Sequence, residues 1–135
     1  MIETSQHAYE TIRYIYREGD IDLIFFGQIL GMVSNDPDDA PLNKAPEQRI
    51  ADAISLVEFL VSTGDFYVGR TSKGSNGKYA DIPFAGISEF KEMVGNIFLN
   101  EGLDGDNLIT CSWIRKLTIG SKPPAIPNRV VELFS

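Results

Sequence analysis

The segment Pro46–Val61 constrains this chain more than any other, because its apolar residues recur with the period of an α-helix. Ile50, Ala53, Ile54, Val57, Leu60 and Val61 fall at i, i+3, i+4 and i+7 and form one stripe. Glu47, Arg49, Asp52, Ser55 and Glu58 are predicted on the opposite, outward face. Pro46 suits the first turn, where its missing N–H costs nothing, and Thr63-Gly64 supplies a stop with Gly64 left-handed. A β-hairpin is expected directly afterwards, over Phe66–Phe84. Phe66–Arg70 forms its first strand, Asn76-Gly77 its turn pair and Lys78–Phe84 its return, with Pro83 placing the end at an edge.

The flanks read less sharply. Thr4 or Ser5 can cap a first helix running to about Arg17, with Ala8, Tyr9, Ile12, Ile15 and Tyr16 on one face and Gly19 as its stop. Asp22 can cap a short, mostly buried second helix reaching Val33, and a buried strand over Ile21–Phe26 competes with it. Asn35–Pro46 has three prolines and three aspartates, so a solvated loop is expected. Ser88 is expected to cap a fourth helix over about Glu89–Asn100, with Phe90, Met93, Val94, Ile97 and Phe98 inward and Gly102 as its stop. Leu108–Leu117 reads as a strand, since Ile109, Cys111, Trp113 and Leu117 alternate. Lys122–Pro127 is an extended connector, and Val130–Phe134 is too short to assign.

At 135 residues, 43% hydrophobic and 23% charged, the whole chain 1–135 is expected to be one domain with its own core. The single cysteine excludes an internal disulfide, and no basic-then-apolar leader is visible at Met1–Ser5. The longest apolar run, Leu23–Phe26, is too short to span a bilayer. A cytoplasmic location is therefore expected. Nineteen acidic residues against twelve basic give a net charge of −7. Such a field repels nucleic acid and anionic membrane and favours a basic partner, although solubility alone accounts for many acidic chains.

A helix, a short buried helix, a longer amphipathic helix and then a hairpin together resemble a winged helix. The fold class expected is thus α+β and winged-helix-like: three N-terminal helices, the hairpin, a further helix and a C-terminal strand. Leu56-Val57, Leu60, Gly64, Phe66–Gly69, Phe90–Leu99 and Trp113 also look like a pattern recurring in small uncharacterised bacterial proteins. Some proteins of that kind resemble immunity proteins, which bind and neutralise a toxin. Winged helices commonly bind DNA, but here the helix that would enter the groove shows three carboxylates and one guanidinium. Arg70, Lys73 and Lys78 on the wing are the basic residues that a DNA-binding regulator would use.

No catalytic constellation emerges. His7 is the only histidine; Glu10 lies at i+3, but an exposed surface histidine is the reading expected and a zinc site lacks ligands. Cys111 sits beside Trp113 in an apolar alternation and reads as structural. Asp36-Pro37-Asp38-Asp39 and Asp104-Gly105-Asp106-Asn107 lack the spacing of a calcium loop and suit turns whose aspartates bond their own backbone. Gly69–Gly77 lacks the phosphate-loop spacing. The expectation is a non-enzymatic protein-binding domain without metal or cofactor. It would dock a basic partner through Asp36, Asp38, Asp39, Glu47, Asp52 and Glu58, with Tyr67, Tyr79 or Phe84 as aromatic anchors.

Overall fold

The computed structural model describes residues 3–73, 79–84 and 86–135, and for 71–73 and 79–83 the backbone alone. The predicted turn at Asn76-Gly77, the wing residue Lys78 and the side chains of Lys73 and Tyr79 lie outside that description. The fold is α+β, with helices packed against a small antiparallel sheet.

Helix α1 (Thr4–Gly19) buries Ala8, Ile12, Ile15 and Tyr16, the stripe read from the sequence except for Tyr9, which is exposed. Its N-cap is Glu3, so neither Thr4 nor Ser5 caps it. Strand β1 (Ile24–Phe25) and helix α2 (Phe26–Ser34) share the next apolar run. Both competing readings of that run were thus partly right, because the first residues pair with a strand and the rest coil. Asp22 does not cap α2; Phe25 precedes it, and Gln28 Oε1 accepts the Phe25 N–H at 2.9 Å. Phe26, Ile29, Leu30 and Val33 are all buried, which explains why this helix shows almost no polar face.

Helix α3 (Pro46–Ser62) begins with Pro46 in its first turn, and Gly64 past its end has φ +82°, the left-handed geometry that a glycine takes without strain. Of the predicted stripe it buries Ile50, Ala53, Val57 and Leu60 and leaves Ile54 and Val61 partly buried, and it buries Leu56 and Phe59 besides. Its face is wider than a stripe because α2, strand β2 (Phe66–Lys73) and helix α4 (Ile87–Glu101) all pack against it. Strand β3 (Tyr79–Pro83) returns alongside β2 with Gly69 opposite Pro83, giving the expected hairpin pairing. Helix α4 begins after Gly86, so Ser88 lies within its first turn and does not cap it; it stops at Gly102, with only Phe90 and Val94 fully buried.

The predicted strand Leu108–Leu117 is overturned over its first half. Residues Asp106–Thr110 form a short helix α5, and strand β4 is Ser112–Lys116. Ile109 and Leu117 are exposed, so the alternation that suggested one buried face does not exist. Helix α5 sits against α2 so tightly that a Cβ on Gly27 would lie 2.5 Å from Ile109 Cγ2 and 3.0 Å from its Cα. Strand β4 inserts between β1 and β2, giving the order β1-β4-β2-β3. The C-terminal residues form helix α6 (Asn128–Val131) and a 3₁₀ turn, Glu132–Phe134, whose Val130 and Phe134 close the core against α1 and α3.

Two lysines are buried where these layers meet. Lys44 Nζ donates to Asp52 Oδ2 at 2.8 Å, to the Val33 carbonyl at 2.7 Å and to the Leu133 carbonyl at 2.6 Å. All three of its N–H groups are used, and the loop, α2, α3 and the 3₁₀ turn are tied at one point. Lys116 Nζ donates to Asp20 Oδ1 at 2.6 Å and to the Tyr16 carbonyl at 3.0 Å, lying 5.1 Å from the centre of the Tyr16 ring. The Tyr16 hydroxyl in turn donates to Asp65 Oδ2 at 2.5 Å.

Candidate functional site

The acids that the sequence places together on outward faces separate into different environments. Asp52 is 7% exposed and bound to Lys44, with Gln48 Nε2 donating to its other oxygen at 2.7 Å. It is a structural carboxylate rather than the surface contact expected, because the lysine reaches back from the loop and draws α3's polar edge inside. Arg49 is committed as well: its Nε and Nη2 donate to the carbonyls of Lys44 and Leu42 at 3.2 and 3.4 Å. Glu58 is half-buried and pairs with Lys91 at 2.9 Å, and Glu47 stays exposed in the first turn of α3.

The Asp36–Asp39 segment is built differently. Asn35 bridges to Pro41, Asp36 N–H donates to the Ala40 carbonyl at 2.8 Å, and Leu42 N–H donates to the Ser34 carbonyl at 2.8 Å. Asp36 Oδ1 accepts the N–H groups of Asp38 and Ala40, both at 2.9 Å, as a turn aspartate does. Asp39 takes φ +61°, which aspartate tolerates better than most residues, and accepts Asn35 Nδ2 at 3.3 Å. The expected solvated loop is therefore a held turn, with Asp38 and Asp39 exposed and one oxygen of Asp36 left over.

This turn and helix α1 enclose two adjoining clefts. The larger, about 610 Å³, is lined by His7, Glu10, Thr11, Tyr14, Gln28 and Met32 on the helical side and by Asn35, Asp36, Pro37 and Asp39 on the turn. The smaller, about 460 Å³, lies between Thr4, Asp38, Leu42 and Phe134. His7, Asp36 and Pro37 line both and so stand between them. The lining of the larger cleft holds three carboxylates and neither a lysine nor an arginine.

His7 differs from the surface histidine expected. It is half-buried, its ring meets Phe134 edge-on at 5.5 Å, and its Nδ1 lies 3.4 Å from Thr11 Oγ1. Its Nε2 is fully buried with no hydrogen-bond partner among the described residues. Sequence reasoning considered His7 with Glu10 but could not bring the aspartate turn to them, because that contact spans about thirty residues of chain and depends on how α2 returns.

Of the aromatic anchors expected on the hairpin, Tyr67 and Phe84 lie away from these clefts. Tyr67 is half-buried and meets Trp113 edge-on at 5.6 Å, with the Arg115 guanidinium 5.3 Å from the same indole ring. Phe84 packs on Phe90 at 5.9 Å and carries the Arg70 guanidinium at a similar distance. Both aromatics are therefore engaged within the chain. Cys111 is half-buried, burial pushes its thiol up to about 11, and its Sγ donates to the Leu108 carbonyl at 3.3 Å. A thiol so held is a poor nucleophile at neutral pH. The described residues hold no group of three His, Cys, Asp or Glu side chains placed to bind a metal, and no helix is long and apolar enough to cross a membrane. Comparison with models of protein families, with curated proteins and with solved structures returned no match to this chain.

Proposed function

We propose that this chain is a non-enzymatic acidic protein-binding domain that docks a basic protein on the face formed by α1 and the turn 35–42. The observation that carries this reading is the larger cleft, whose walls bring Glu10, Asp36 and Asp39 together without a lysine or arginine among them. A net charge of −7 steers a basic partner toward the molecule from a distance, and an acidic concavity focuses that field where the partner lands. The backbone bonds that hold the turn reduce the ordering cost of association. An immunity protein that caps a basic toxin is the biological role that best fits such a surface.

The run of helices and hairpin from α1 through β3 supports a winged-helix-like reading of the frame, with β4 inserted beside β1 as its departure. The DNA-binding role of that frame is weakened by the same side chains. Arg49 is turned onto backbone carbonyls, and Lys44 and Lys116 are buried, so three of the basic residues are withdrawn from any phosphate contact.

The test is co-expression and co-purification with the product of the neighbouring gene in the native genome. A basic protein should be retained at low salt and released as salt rises, and its toxicity should be suppressed. Retention that is indifferent to salt, or retention of upstream DNA instead, would contradict the proposal.

A further inference from the structure

Building on that docking face, we infer that the floor of the larger cleft at Gly31 seats one aliphatic side chain, a leucine or isoleucine, of the basic partner. Glycine is a costly residue in the interior of α2, because it loses more backbone freedom on folding than any other. Two glycines stand in this helix four residues apart and so on one face, and their surroundings differ. At Gly27 the reason is visible: Ile109 of α5 occupies the space, its Cγ2 2.5 Å from where a Cβ would be. At Gly31 the fold supplies no such neighbour. A Cβ there would meet no described atom within 4 Å beyond its own stretch of helix, and the residue is half-buried in the cleft wall. The fold does not need a glycine at 31, whereas an incoming side chain does.

What the seat takes follows from its walls. Met32, Pro37 and the Tyr14 ring, itself 40% exposed, line the same cleft and give it apolar surface. Ile109 on Gly27 shows the pattern about one helical turn away: a branched aliphatic side chain laid against bare helix backbone. Burying a side chain of that size is worth on the order of tenfold to a hundredfold in affinity. Charge names the segment that carries it. Glu10, Asp36 and Asp39 line the cleft without a lysine or arginine, so the residues flanking the aliphatic one are basic. A free fatty acid would be repelled by the same carboxylates. The Arg17 guanidinium, 5.6 Å from the Tyr14 ring centre, is already engaged on that ring.

Met32 is one of three methionines, so its methyl group gives a resolved ¹³C signal inside the cleft. The experiment titrates ¹⁵N- and methionine-methyl-labelled protein at low salt with acetyl-Lys-Leu-Lys-amide, and in parallel with the same peptide carrying serine for leucine. The leucine peptide should shift the Met32 methyl and the Gly31 amide, saturating on the order of millimolar, and the serine peptide should bind about tenfold more weakly. Gly31→Leu should abolish the Met32 shift, and Gly31→Ala should weaken the leucine peptide severalfold. Gly31→Ala should at the same time raise the thermal midpoint by about 3 °C, since alanine favours the helix and meets nothing. Gly95→Ala in α4 is the control: a Cβ there is equally open, Gly95 lines neither cleft, and peptide binding should not change. Equal shifts from both peptides, shifts that spare Gly31 and Met32, or wild-type binding by Gly31→Leu would overturn the seat and leave the docking face standing. No shift from either peptide anywhere on α1 or the turn would overturn both. A Met32 shift that follows the protein's own concentration without peptide would also overturn the seat, as the mark of a second copy in the cleft.

Discussion

Asp52 and the Asp36–Asp39 turn are alike in sequence and opposite in the folded molecule. Both belong to acidic stretches that pattern as outward-facing, yet Asp52 is buried against Lys44 while Asp38 and Asp39 stay in solvent. The difference lies in where the cation goes. Lys44 is anchored to the chain just before α3, and its ammonium reaches two backbone carbonyls that would otherwise lack donors. Once it is held there, desolvation demands a counter-charge, and Asp52 on the adjoining turn of α3 supplies it. Among the described residues no cation is paired with the turn's carboxylates; Asp36 bonds its own backbone and Asp39 the Asn35 amide, each through one oxygen. In an acidic chain, the placement of a few lysines decides which acids are scaffold and which are available.

The strongest way to break that contrast is to remove the buried cation. Lys44→Met should cost about 3–5 kcal/mol in urea-induced unfolding, because Asp52 and two carbonyls lose their partner together. Pairing it with Asp52→Leu should recover much of the loss, whereas equal damage in the double variant would show that the pair is not one unit.

The second buried lysine sharpens the comparison through pH. Lys116 holds the Asp20 carboxyl below its ordinary range by donating to it, with the Gly120 N–H adding a further bond. That stabilisation is present above the unfolded carboxylate's titration and is lost as pH falls through the lowered folded value. Tyr16 works in the opposite sense: burial first, and then its bond to Asp65, pushes its hydroxyl up to about 12. Stability from Tyr16 is complete below the ordinary tyrosine value of about 10 and declines as pH rises from there toward 12. Tyr16→Phe should flatten that alkaline decline, read as the unfolding midpoint against pH, although it removes the bond to Asp65.

The smallest stability effects belong to the turn. Asp36→Asn and Asp39→Asn should each change unfolding by no more than about 0.5 kcal/mol, since asparagine keeps the side-chain oxygen and tolerates the left-handed backbone at 39. A loss of the size expected for Lys44→Met would place the turn with the scaffold and remove the contrast.

How much of this was legible in the sequence follows the range of the interactions. The α3 helix, its Pro46 start and Gly64 stop, and the pairing of the hairpin are local, and periodicity with turn chemistry was enough to read them. The short strand β1 and helix α5 were not. Ile24-Phe25 is extended because β4 pairs with it, and Asp106–Thr110 coils where α5 packs onto Gly27, which leaves room for Ile109. Those causes lie some ninety residues away along the chain. The candidate site divides the same way. Asp36 as a turn aspartate was readable from its neighbours, but its meeting with His7, and the burial of Asp52, depend on how α1, α2 and α3 assemble.

The central claim is that the free acids of the turn, and not those of α3, receive the basic partner. Stopped-flow association of the co-purified partner with the wild type and with the Asp36→Asn, Asp38→Asn, Asp39→Asn triple variant tests it directly. The account predicts association slowed about tenfold or more at low salt, with the gap closing as ionic strength rises and screening takes over. Association at the wild-type rate, with an unchanged salt dependence, would contradict it.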